Sequence, residues 1–197
     1  MHDDYGAPFS LTAQTQTIAA ALAANSIVFA AGAVANVAST PNILRGPLTI
    51  SAMRMRFTAI VGSAAALLVG RCLQVFKASN NAQAMPTGGA TAAPIAKRTL
   101  NTPADNGLIG GLARVATTGA LTAGTFTRGT VPLATLDLAS SGALGAVMAQ
   151  EWQWQVTGAP VILDPGEILC VSNPAVFDLL LTWQLTVELD YYRRDSV

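Results

Sequence analysis

The clearest signal along the chain is alternation. Within residues 48–57, Met53, Met55 and Phe57 fall on one side of an extended backbone and Arg54 and Arg56 on the other. A period of two marks a strand with one dry and one wet face. The pattern returns over residues 177–192. There Trp183, Leu185, Val187, Leu189 and Tyr191 form one row, and Thr182, Gln184, Thr186, Glu188 and Asp190 the other. One-sided burial of this kind belongs to antiparallel sheet.

Between these anchors the pattern predicts further short strands. Residues 67–77 place Val69, Arg71, Leu73 and Val75 on one face and Gly70, Cys72, Gln74 and Phe76 on the other. Arg71 is out of place there, so that face buries a paired charge or opens at an edge. Weaker strands are expected at 26–29, 112–117, 120–128 and 131–136, with Pro132 marking an edge or a strand start. Trp152 and Trp154 share one face of a strand at 152–156. Asp164, Pro165, Gly166 and Glu167 are turn chemistry between apolar runs at 161–163 and 168–171. Residues 79–102, rich in Ala, Asn, Thr, Gly and Pro, read as a long loop with little structure of its own. Residues 139–149 favour turns, with a short helix equally open.

The N-terminal part is different. Residues 1–16 are polar and read as an extended tail or an arm ordered by a partner. Residues 17–24 are Ala-rich and fit a short helix or a first strand. The expected organisation is an arm over 1–25 and one all-β domain over 26–197. Eight to ten strands with Gly and Pro turns, and no convincing βαβ unit, predict an antiparallel β-sandwich, most simply jelly-roll-like.

Composition narrows the function. The 197 residues carry eleven Lys plus Arg and eleven Asp plus Glu, and charged residues make up 11%, against about 25% in an ordinary soluble domain. A broadly basic nucleic-acid binder is excluded. Lys97 with Arg98, and Arg193 with Arg194, are too few for such a groove. Asp3 and Asp4, with no Lys or Arg in 1–10, do not make a secretory signal. The Ala-rich run 18–38 is broken by Asn25, Ser26 and Asn36, so no membrane span is expected. Cys72 and Cys170, the only cysteines, read as buried free thiols.

Catalytic residue types are scarce. His2 is the only histidine, which leaves neither a Ser-His-Asp arrangement nor a zinc site. Asp164 with Glu167, and Glu188 with Asp190, read as turn and wet-face residues rather than as a glycosidase pair. No enzyme activity, metal or cofactor is expected. Arg54 and Arg56 read first as a plain exposed face; the alternative is pairing with Glu188 and Asp190 on a neighbouring strand or subunit. Trp152, Trp154 and Trp183 fill a sandwich core, make a subunit contact or, less simply, form a sugar platform. The possible interface residues are Arg54, Arg56, Lys97, Arg98, Trp152, Trp154 and Trp183.

Residues 57–192 also carry a resemblance. Its elements are the strand 67–79 with Arg71, Cys72, Phe76 and Lys77, and the region Ala123, Gly124, Thr125 and Phe126. The turn Asp164, Pro165, Gly166 and Glu167 follows, then Leu185, Thr186, Val187, Glu188 and Leu189. In these the chain resembles capsid decoration (cement) or head-associated proteins of tailed bacteriophages. The resemblance implies a non-enzymatic virion protein that binds the major capsid protein and self-associates, often as a homotrimer. Two other classes stay open: a carbohydrate- or receptor-binding module of a fibre or tail, and a jelly-roll capsid subunit.

Overall fold

The computed structural model describes residues 8–33, 48–61, 71–79, 86–91, 95–96, 113–122, 127–138, 147–155, 160–164, 166–177 and 181–193. Thirteen strands lie among them: β1 (Pro8–Gln14), β2 (Ser26–Ala33), β3 (Leu48–Val61), β4 (Arg71–Ser79), β5 (Ala90–Thr91), β6 (Ile95–Ala96), β7 (Ala113–Val115), β8 (Thr127–Arg128), β9 (Ala134–Leu138), β10 (Val147–Gln155), β11 (Val161–Leu163), β12 (Glu167–Asn173) and β13 (Leu181–Arg193).

They form two antiparallel sheets. The first runs β10-β3-β13-β1-β6, with β11 also on β3; the second runs β5-β7-β2-β12-β4-β8, with β9 also on β4. The expected β-sandwich is therefore present. The long strands pair from the chain ends inward: β1 with β13, β2 with β12, β3 with β10 and β11, and β4 with β9. β13 also joins β3, and β12 joins β4, which completes each sheet.

The core lies between the sheets. Leu11, Met55, Phe57 and Leu185 of the first sheet face Phe29, Leu73, Leu169 and Val171 of the second. Full burial of side chains this size stabilises by roughly 1.5–3 kcal/mol each. The alternation at 53–57 and 183–191 falls as expected, with the apolar row inside and the polar row outside. Trp183 is 1% exposed; it stacks on Phe57 with ring centroids 5.5 Å apart and meets Phe177 edge-on at 5.7 Å. It is core, which removes it from the interface candidates.

The second sheet is apolar on its outer side as well. Ile27, Ala30, Phe76, Ala78, Leu121, Ile168 and Cys170 form a separate buried cluster. The Arg128 guanidinium lies 4.2 Å above the Phe76 ring and donates to Ser172 Oγ at 3.0 Å. Burial on both faces explains why residues 168–171 of β12 form an unbroken apolar run, without the alternation of β13.

Gly32 stands opposite Ile168 in this sheet. A Cβ there would meet the Glu167 carbonyl oxygen at 2.5 Å and Ile168 Cγ2 at 2.6 Å, so only glycine fits beneath that side chain.

Two expectations need correction. Residues 8–25 are not an extending arm. β1 sits inside the first sheet between β13 and β6, and Leu11, Ala13 and Thr15 are buried. The alternative of a helix at 17–24 also fails. Ile18 and Trp183 exchange backbone hydrogen bonds, as do Leu22 and Phe177. Asn25, at φ 65°, then turns the chain into β2. Residues 1–7 of the expected arm lie outside the described residues.

The expected loop at 79–102 contributes β5 to the second sheet and β6 to the first; most of its remainder lies outside the described residues. The expected turn region 139–149 yields the start of β10, while 139–146 lie outside the described residues. The turn at Asp164 does close as expected. The Glu167 N–H donates to the Asp164 carbonyl at 2.9 Å, with Gly166 at φ 92°. It links strands of different sheets, β11 and β12.

Candidate functional site

The outer face of the first sheet carries a cluster of charged side chains: Arg54, Arg56, Glu151, Glu188 and Asp190. Arg54 and Arg56 project from β3, which lies between β10 and β13. Register places Glu188 of β13 opposite Arg54, and Glu151 of β10 opposite Arg56. Arg54 donates from Nε to Glu151 Oε1 at 2.7 Å, and its Nη2 is 2.6 Å from the same oxygen. Its Nη1 lies 3.7 Å from Glu188 Oε2, and Arg56 Nε lies 3.6 Å from Glu151 Oε2. The four side chains form one ladder of alternating sign across three strands.

Of the alternative pairing that the sequence leaves open, the fold brings Glu188 to Arg54, while Arg56 meets Glu151 instead. Asp190, on the same face, accepts a hydrogen bond from Ser10 Oγ at 3.1 Å. Glu151 was missed. Its signal was its place in period with Gln153 once β10 is extended back to Val147. Beside the ladder Ser10, Thr12, Arg54, Gln153, Glu188 and Asp190 line a polar depression of about 180 Å³.

The far end of the same face is apolar. Ile60 and Val147 stand directly opposite each other and are 50% and 75% exposed. With Thr17, Thr58, Thr182 and Gln184 they line an open depression of about 220 Å³.

Trp152 and Trp154 stand opposite Met55 and Met53 on β3. Both are half-buried and pack against the core at the sandwich edge, beside Leu133 and Ala134. Their rings are committed to that packing and do not make an outer platform. Lys97 and Arg98 lie outside the described residues.

Elsewhere, Glu167 Oε2 accepts from the Asp164 N–H at 2.7 Å and sits 2.5 Å from Lys77 Nζ. This carboxylate locks its own turn. Cys72 and Cys170 are free thiols, but only Cys170 is buried; Cys72 is partly exposed. Burial pushes the Cys170 thiol up to about 12. Cys72 is also raised, first by burial and then by the Asp137 carboxylate opposite it. Among the described residues no cluster of His, Cys, Asp or Glu has the form of a metal site, and no helix is long and apolar enough to cross a membrane. Comparison with protein families and with curated proteins finds no match for the chain.

Proposed function

We propose that the chain is a non-enzymatic structural module whose work is protein–protein contact. In its specific form it is a jelly-roll subunit that decorates a tailed-phage head. The observation that carries this reading is the outer face of the first sheet. Its charges neutralise one another within the chain through Arg54, Glu151, Arg56 and Glu188, and Ile60 and Val147 stand open beside them. A neighbour can cover such a face while stripping few unpaired ions of water.

The nested strand pairing supports the jelly-roll form. β1, β2, β3 and β4 pair in reverse order with β13, β12, β10 and β9, four of these strands in each sheet. Nesting of this kind is what two Greek keys wound together would give. The resemblance over residues 57–192 supplies the lattice: the major capsid protein of a phage head, with the chain in the virion and self-associated there.

The mechanism is passive. A subunit that binds only the assembled shell stabilises it by mass action, about 2.7 kcal/mol per site at a hundredfold excess over Kd. The test is to incubate purified chain with undecorated, expanded tailed-phage heads, sediment them and heat them. The reading expects saturable co-sedimentation and a higher disruption temperature. Heads that neither bind the chain nor gain stability would overturn it.

A further inference from the structure

The lateral edges of the two sheets are unequal. β6 and β5 are two residues long. The far side of β4 carries β8, also two residues, and β9, five residues with an exposed Asp137 and with Pro132 just before it. Short edges, Pro and charge are the usual devices that stop one sheet adding to another.

β10 lacks them. It is nine residues long and ends the first sheet. It pairs with β3 without a register shift, so no bulge bends it away. It contains no Pro and no Lys or Arg. Its single charge, Glu151, is held by Arg54. Among the described residues no strand stands on its outer side. An edge strand so placed presents a row of backbone N–H and C=O groups to any strand that can pair with them.

The strand also fits itself. Residues opposite in an antiparallel pair share a face, so a two-fold axis between copies passes through one residue. An axis at Glu151 would set two carboxylates opposite each other. An axis at Gln153 would leave only 151–155 paired. An axis at Gln150 would pair 147–153 but set the Glu151 carboxylate opposite Ala149, whereas an axis at Trp152 keeps 149–155 in the pair. It sets Glu151 opposite the second copy's Gln153 on the outer face, and Gln150 opposite Trp154 on the inner one. Trp152 and Trp154, half-buried at this edge, would lose exposed ring surface to the incoming strand. Aromatic residues of this kind are enriched at protein interfaces.

We infer that β10 pairs antiparallel with β10 of a second copy, joining two first sheets across a two-fold axis at Trp152. The inference does not rest on the virion role.

The test is sedimentation velocity of the full chain from about 1 to 200 μM near physiological salt, for wild type, Gln153→Glu and Gln153→Lys. Gln153 is exposed, and thermal melts check that each variant folds. The wild type is expected to form a concentration-dependent dimer with slowed amide exchange over 149–155. Gln153→Glu, facing Glu151 twice, should raise the dimer Kd about tenfold or more. Gln153→Lys should lower it several-fold. Within one chain the signs run the other way, because Gln153 also faces Arg54, so altered monomer stability cannot mimic the result. A monomer throughout, an odd-numbered oligomer, or a Kd that moves the same way in both variants would overturn the inference. So would β10 amides that become protected only when phage heads are added, since the occupant would then be another protein.

Discussion

Arg54 and Glu151 meet diagonally across β3 and β10. Glu151 stands opposite Arg56 in the register, yet its Oε1 takes two contacts from Arg54, at 2.7 and 2.6 Å, while Arg56 stays at 3.6 Å. Diagonal neighbours are within reach of long side chains on a pleated face. Here the diagonal brings β10, β3 and β13 into one charge ladder, because Arg54 also faces Glu188.

This ladder is a surface feature, with Arg54 36% and Glu151 44% exposed. A double-mutant cycle with Arg54→Ala and Glu151→Ala, read by urea unfolding, should give a coupling of about 0.2–1 kcal/mol. It should shrink as salt rises toward 1 M. A coupling of several kcal/mol that ignores salt would contradict the exposed geometry.

Trp183 is a different case. Trp183→Ala removes the ring held by Phe57 and Phe177 and should cost about 3–5 kcal/mol. Trp152→Ala, at the half-buried edge, should cost less. The order of the two midpoints in denaturant checks this, and a reversed order would move the core away from Trp183.

Gly32→Ala should destabilise by about 1–3 kcal/mol, because its Cβ would press on the Glu167 carbonyl and on Ile168. Gly89→Ala adds backbone strain to crowding, since φ is +62° and the new atom would meet the Val115 carbonyl oxygen. Gly119→Ala meets nothing within 4 Å and serves as the neutral control. Thermal melts of the three variants should separate the first two from the third.

The buried Cys170 gives a pH dependence with a definite sign. Its folded value of about 12 lies above the ordinary 9.0, so the folded chain holds the proton more tightly than the unfolded one. That stability is complete below pH 9 and falls as pH rises from 9 toward 12, by up to about 1.4 kcal/mol per pH unit. Tyr191, also raised by burial, adds to the fall above pH 10. Cys170→Ala should flatten the slope between pH 9 and 10, whatever its own cost. In the native chain Cys72 should react with a thiol reagent before Cys170; equal rates would contradict the burial.

Much of this arrangement was legible in the sequence. The alternation at 53–57 and 183–191 gave two strands and their inward faces, because large apolar side chains on one side make the period visible. The turn at Asp164 was legible from residues that close turns anywhere, although its crossing between sheets was not.

β1 was read as part of an arm for a physical reason. Its buried row is Leu11 and Ala13, continued by Thr15 just beyond it, with a period of two but little hydrophobicity. What orders it is β13, whose residue Asp190 receives the Ser10 hydroxyl from 180 positions away. Partner identity of that kind leaves no local pattern. The same holds for Glu151, whose role appears only when β10 lies beside β3. The outer cluster of the second sheet was also hidden, because an apolar run such as 168–171 reads alike whether one face or both are covered.

An image reconstruction of expanded tailed-phage heads incubated with the chain shows directly where the sandwich sits. Ordered density is expected for the sandwich on the shell, with Ile60, Val147 and the Arg54–Glu151 ladder buried against a protein neighbour. Bare shells, or a bound sandwich whose first-sheet face looks out into solvent, would contradict it.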